Sequence, residues 1–178
     1  MDPGTNLVAG RWFANLGLGR MNAPDASNGN AALNDMLARL AAARVQCELR
    51  GTRFTPMRAR VLELLLQDNR FVTAYELLDS ILETHPRANP ATVYRILGFL
   101  VENGLAHRLA SVNGYVARTG AADNDYRVFA ICGRCSRVSE LEANGVRDLL
   151  AALVASVGCA LGDGAAEIRV VCRDCRQG

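Results

Sequence analysis

Two Cys-x-x-Cys pairs, Cys132-Gly-Arg-Cys135 and Cys172-Arg-Asp-Cys175, constrain this chain more than any other feature. Each pair can set two thiolates on one ion, and two pairs complete the tetrahedral sulfur shell that Zn²⁺ favours. The 36 residues between Cys135 and Cys172 exceed the spacing of compact zinc modules, so a packing unit must fold inside the clip. Disulfides are the rival reading. The first 20 residues hold Arg11 and Arg20 and no continuous apolar core, so no secretory signal is read and a reducing, cytoplasmic setting is expected. A redox Cys-x-x-Cys opens a helix after a strand, whereas Cys132 stands between two strand-like runs, Arg127 to Ile131 and Arg137 to Leu141. Cys47 and Cys159 lie in helix-like stretches and are expected to be small buried hydrophobes.

The 178 residues suit two small domains, and no apolar run reaches the length of a membrane span. A net charge of +2 does not by itself argue for nucleic acid, yet all 20 basic residues are arginine, the side chain best shaped for phosphate and guanine. Codon bias is the plainer cause of that usage. Residues 1–30, rich in Gly, Asn, Ala and Pro, read as a disordered leader, with Met21 as an alternative start.

Helical periodicity begins near Ala31 with Leu33, Met36, Leu37 and Leu40 and ends at Gly51. Thr55-Pro56 opens a second helix whose apolar face is Val61, Leu62, Leu65 and Leu66. Thr73 caps a third, Ala74 to about Glu83, and Asn89-Pro90 opens a fourth that stops at Gly104. Leu105 to Ala110 and Tyr115 to Arg118 read as strands, with Asn113-Gly114 as a two-residue hairpin signal. Helices followed by a hairpin make a winged helix-turn-helix over residues 31–118. Residues 119–126 have a linker's composition. Residues 127–178 then alternate strand, Cys pair, strand, helix (about Gly145 to Val157), strand (about Glu167 to Val171) and Cys pair, a small α/β unit whose thin core needs zinc and a partner subunit. The fold class is thus α+β: a winged helix followed by a small α/β dimerisation domain with a four-cysteine zinc site.

Arg53-Phe-Thr-Pro-Met-Arg, Thr73-Ala-Tyr-Glu-Leu-Leu, Pro90-Ala-Thr-Val-Tyr-Arg, Gly114-Tyr-Val and Phe129-Ala-Ile-Cys-Gly-Arg-Cys, in this order, resemble the ferric-uptake-regulator family, most closely its zinc-uptake-regulator branch. The match runs from about residue 45 to Cys175. The resemblance implies a homodimer whose winged helices read the halves of a palindromic operator when zinc-loaded and so repress zinc-uptake genes. A two-fold dimer suits a two-fold site. The helix opening near Ala91 is then expected in the major groove, exposing Thr92, Tyr94 and Arg95 while Val93, Ile96, Leu97 and Leu100 face the core. Arg95 suits guanine O6 and N7, and Arg58, Tyr75 and Arg53 suit phosphates. Arg108, on the wing, is a further candidate.

The resemblance also implies a second, regulatory metal site near the wing, the linker and the strand after the first Cys pair. His107, Asp125 and Glu140 match those places, with Asp123 or water as a fourth ligand. The branch pattern has Cys where this chain has Arg118 and His where it has Asp125, which leaves a harder, more anionic set than one containing thiolate. With only two histidines in the chain, a His-rich iron or peroxide site is disfavoured; sensing of another metal, or structural zinc alone, is the alternative within the family. Four thiolates leave no open metal position and no nucleophile-plus-base arrangement is visible, so a zinc-dependent enzyme or thiol oxidoreductase is not expected, nor a small organic substrate or a membrane.

Overall fold

A computed structural model describes residues 29–67, 69–118, 126–141, 145–162 and 164–177. Residues 1–28 of the expected leader and almost all of the expected linker, with Asp123 and Asp125, lie outside these residues, whereas Gly29 and Asn30, expected in the leader, open the first helix.

Helix α1 (Gly29–Leu49) is an Ala/Leu/Arg-rich segment of good intrinsic propensity and ends where Gly51 takes φ +65°. Helix α2 (Pro56–Gln67) starts at its proline, and the Thr55 hydroxyl accepts the Arg58 N–H at 3.4 Å. Helix α3 (Ala74–Leu82) carries a full capping box: Thr73 accepts the Glu76 N–H, and the Glu76 carboxylate accepts the Thr73 N–H at 2.7 Å. Helix α4 (Pro90–Glu102) is capped by Asn89, whose side chain accepts the Thr92 N–H at 3.0 Å. On the inward faces of α2 to α4, Val61, Leu65, Leu77, Ile81, Val93, Leu97 and Leu100 are at most 1% exposed. Asn103, the buried polar residue at the end of α4, is fully engaged: its Nδ2 donates to Phe99 O, its Oδ1 accepts from Thr52 and its carbonyl accepts from Gln46.

Strands β1 (Ala106–Leu109) and β2 (Gly114–Ala117) form the antiparallel wing. The expected two-residue hairpin at Asn113-Gly114 is corrected. A 3-10 turn, Ala110–Val112, precedes Asn113 in the left-handed region at φ 48°, and Leu109 pairs with Gly114 across a four-residue connection. Gly114 is required by close approach rather than by turn geometry, since a Cβ there would meet Phe71 Cδ2 at 2.6 Å.

Strands β3 (Arg127–Cys132), β4 (Val138–Leu141) and β5 (Ala165–Val170) form a second sheet in the order β4-β3-β5, antiparallel on one side of β3 and parallel on the other. Helix α5 (Val146–Ala155) makes the crossover to β5, and a short α6 (Arg173–Gln177), not anticipated from the sequence, spans Cys175. No residue of α5 is buried among the described residues, and Leu149, Leu153 and Val157 are 69%, 63% and 74% exposed. Cys159 is exposed after the helix end rather than buried as expected, because the helix that leads to it buries no residue fully among the described residues.

The two regions are stitched by residues 69–72. On one side Val72 and Tyr115 of β2 exchange both N–H···O bonds at 2.9 Å. On the other, Phe71 N–H donates to Ser136 O at 3.1 Å and Val138 N–H donates to Asn69 O at 2.8 Å. No helix among the described residues is long and apolar enough to cross a membrane.

Candidate metal centre and nucleic-acid face

Parallel pairing of β3 with β5 brings the two Cys pairs to one end of the sheet. Cys132 stands opposite Val170, two residues before Cys172, and Gly133 N–H bonds Val170 O at 3.0 Å. The first pair closes as a knuckle: Cys132 N–H donates to Arg137 O, Ser136 N–H donates to Cys132 O, and Ser136 adopts φ +62°. The ligand atoms of Cys132, Cys135, Cys172 and Cys175 all lie within 4.8 Å of one another, with Cys135 Sγ 3.6 Å from Cys172 Sγ. Tetrahedral Zn–S bonds of about 2.3 Å set sulfurs about 3.8 Å apart, so the four thiols can close on Zn²⁺ with small movements. Two further contacts fasten the second pair to the first: Arg134 Nη1 to Cys175 O and Arg137 Nη1 to Asp174 Oδ2, each 2.6 Å.

Hydrogen bonding divides the thiols. The backbone N–H of Cys172, followed by those of Arg134 and Cys135, donates toward the Cys132 sulfur and pulls that thiol down to about 6. Cys175 is pushed up to about 12, first by its side-chain hydrogen bonds with Cys172 and Cys135, which favour its protonated form. Backbone donors thus favour the thiolate form of Cys132, at the buried end of the cluster. Metal binding requires the remaining thiols to be deprotonated as well.

On the helical side, Tyr75 at the first turn of α3 is 65% exposed, Tyr94 in α4 is 43% exposed, and Arg95 beside it is exposed. Val93, Ile96, Leu97 and Leu100 face the core, as the periodicity predicts. Thr92 is half-buried, its hydroxyl donating to Asn89 Oδ1 at 3.2 Å. Arg53 is exposed, and Arg58 donates to the Arg53 carbonyl while its guanidinium stacks 3.4 Å from the Phe99 ring centroid. Arg58 is therefore oriented in advance by α4.

Of the remaining expected ligands, His107 and Glu140 converge on Phe129. Phe129 lies between Glu140 of β4 and Glu167 of β5 in one row across the sheet, and the His107 ring sits 4.9 Å from the Phe129 ring. His107 Nε2 is buried and has no hydrogen-bond partner among the described residues. Desolvation, then the positive charges of Arg127 and Arg118, lower its pKa to about 4, so the imidazole is neutral at pH 7. Glu140 forms an ion pair with Arg127. Asp123 and Asp125 lie outside the described residues. Sequence reasoning missed Arg127, whose partner is 13 positions away across a hairpin-like pairing, and Glu167, which looks like an ordinary outward residue of a strand.

A family model described as the Ferric uptake regulator family matches residues 49–169. The zinc uptake regulation protein of Escherichia coli (strain K12) is 39% identical over 137 residues, covering 76% of this chain and 80% of the relative. That of Shigella flexneri matches to the same extent. Among solved structures, a zinc uptake regulator complexed with zinc and DNA superposes with a TM-score of 0.73 at 37% identity, over 80% of this chain and 95% of that one. Holo XcZur superposes with a TM-score of 0.67 at 36% identity, over 79% and 99%.

Proposed function

The chain belongs to the ferric uptake regulator family, and from that premise we propose that it is a homodimeric repressor of zinc-uptake genes that binds a palindromic operator when zinc-loaded. It is a zinc-responsive transcription regulator and not an enzyme. The observation that carries the finer reading is the superposition, over four-fifths of the chain, on a zinc uptake regulator complexed with zinc and DNA.

In this reading Cys132, Cys135, Cys172 and Cys175 hold one structural zinc, which supplies a cross-link between the ends of β3 and β5 and offers no open position for chemistry. Residues 31–118 bind DNA, residues 119–126 act as the hinge, and residues 127–178 pair with a second copy through the apolar face of α5. Arg95 reads guanine; Tyr94 and Thr92 flank it in the groove; Arg53, Arg58 and Tyr75 hold phosphates. A second, regulatory metal takes His107, with Glu140, Asp125 and Asp123 as the oxygen donors. The open, neutral Nε2 of His107 supports the ligand role. The protein acts in the cytoplasm, where its DNA is.

A second reading has structural zinc only, and the pairing of Glu140 with Arg127 favours it, since Glu140 must leave that partner to bind a metal. Zinc per chain, measured before and after mild chelation together with binding to duplexes that the zinc-loaded protein selects from a random DNA pool, separates the two. About two zinc ions per chain, falling to one as DNA binding is lost, supports the regulatory site. One tightly held zinc with DNA binding indifferent to chelation overturns it.

A further inference from the structure

The wing turn is not capped from within. Its first residues, Ala110 and Ser111, present backbone N–H groups at the start of the 3-10 turn Ala110–Val112, and Leu109 before them offers no side-chain cap. The acceptor comes instead from β5. Glu167 Oε1 accepts the Ala110 N–H at 2.8 Å, and Oε2 accepts the Ser111 N–H at 3.0 Å together with the Ser111 hydroxyl. Both carboxylate oxygens are thus committed to one turn, 56 and 57 residues away in the chain.

We propose that Glu167 is a positioning residue for DNA binding: it fastens the wing turn to the strand that leads into the four-cysteine cluster, so that the wing is held in place against the sheet that carries the cluster. This rests on the DNA-binding reading above.

Three observations support it. First, Glu167 lies five residues before Cys172 on a strand paired with β3 through Val170, so a short rigid ladder joins the bolt to the clip. Second, partial burial pushes the Glu167 carboxyl up, but the Ser111 hydroxyl and the Ser111 and Ala110 amides outweigh it and hold the group below its ordinary value. The contact is therefore made by the carboxylate, and such charge-assisted bonds are the strong ones. Third, residues 69–72 hold the strand that leaves the turn, at Tyr115, whereas Glu167 holds the first two residues of the turn, Ala110 and Ser111, so Glu167 is a separate attachment at the other end of the connection. Exposed Arg108 stands opposite Tyr115 beside this turn, where a wing held in place presents it to a phosphate.

The test compares wild type with Glu167→Gln and Ser111→Ala, zinc-loaded, on the best duplex that wild type selects from a random DNA pool. For Glu167→Gln the expected result is affinity down about tenfold, the size of one lost charge-assisted bond pair. The slope of log affinity against log salt should flatten, because a phosphate contact goes with the wing. Amide exchange at Ala110 and Ser111 should quicken, while zinc content and melting temperature hold. Ser111→Ala, at an exposed position that does not endanger folding, is expected to lose about threefold, since one of three bonds is removed. Wild-type affinity and salt slope in both variants overturn the proposal. So does a loss of affinity that tracks a loss of zinc or of melting temperature, which would make Glu167 a structural residue of its own sheet. Failure of zinc-loaded wild type to select any duplex sinks the DNA-binding reading itself.

Discussion

The two halves of this molecule bury their apolar side chains to very different depths. From α2 to α4 the helical pattern closes on a core, with Leu65, Leu77, Leu97 and Leu100 at 1% exposure or less and Leu66 and Leu78 half-buried at its margin. In the C-terminal half, α5 has an equally good apolar stripe but buries none of it fully against the described residues: Val146, Leu150 and Val154 are half-buried, and Leu149 and Leu153 are exposed. The β3 face, through Phe129 and Ile131, is fully enclosed, and there it is enclosed by the wing residues Leu109 and Val116. A winged helix of this size can close on its own core. Three short strands and one helix bury less, and in the proposed reading a metal cross-link on one side and a second copy against α5 make up the difference.

That contrast can be broken most severely at the clip. Cys172→Ala is expected to abolish tight zinc binding and unfold the C-terminal half while α2 to α4 stay folded, because structural zinc carries about 10–16 kcal/mol of apparent binding free energy. Zinc analysis with hydrogen exchange read separately over residues 56–102 and 127–177 checks it. Next comes the closed core: Leu97→Ala should cost about 2–5 kcal/mol of stability, seen in denaturant unfolding and independent of protein concentration. Leu153→Ala should behave differently. At 63% exposure it leaves no cavity within the chain, so its effect should show as weaker self-association in sedimentation and as a concentration-dependent melting temperature. Arg95→Ala should weaken binding to the selected duplex by about 1–3 kcal/mol and relax preference at one base position, with stability unchanged.

The smallest effect is one of pH. Glu76 is held below its ordinary pKa of 4.5, first by the Thr73 backbone N–H, so its contribution is present above that value and lost as pH falls through the lower folded-state value. Acid titration of wild type against Glu76→Gln should therefore diverge most above 4.5 and converge as pH falls through the lower folded-state value.

The contrast also explains what can be read from the chain alone. Capping by Thr73 and Asn89, the apolar faces of α2 to α4, and the shared site of the two Cys pairs all follow from spacings of a few residues or from ligand chemistry that admits few solutions. The starts of β5 and α6 are less legible, since Ala165, Ala166 and the short run after Cys172 carry little periodicity. The wing connection misleads because Asn113-Gly114 satisfies a common turn code while Gly114 is in fact needed to admit Phe71. Cys159 reads as a core residue, but the helix ahead of it has no core to enter. The Glu167 and Ser111 contact, and the Glu140 pairing with Arg127, depend on which strands become neighbours, and no local pattern carries that information. His107 is found by resemblance; its open Nε2 against Phe129 only the packing can supply.

The short segment from Asn69 to Val72 pairs on both of its edges, to β2 through Val72 and to the knuckle strand through Phe71 and Asn69. Because strand pairing has a period of two, one residue inserted or deleted here would put the two edges out of phase with each other, whichever one the chain chose to keep. Most surface connections tolerate changes of length. This one should not, and relatives with this architecture are expected to differ in length elsewhere while keeping the distance from the end of α2 to the cap of α3 constant.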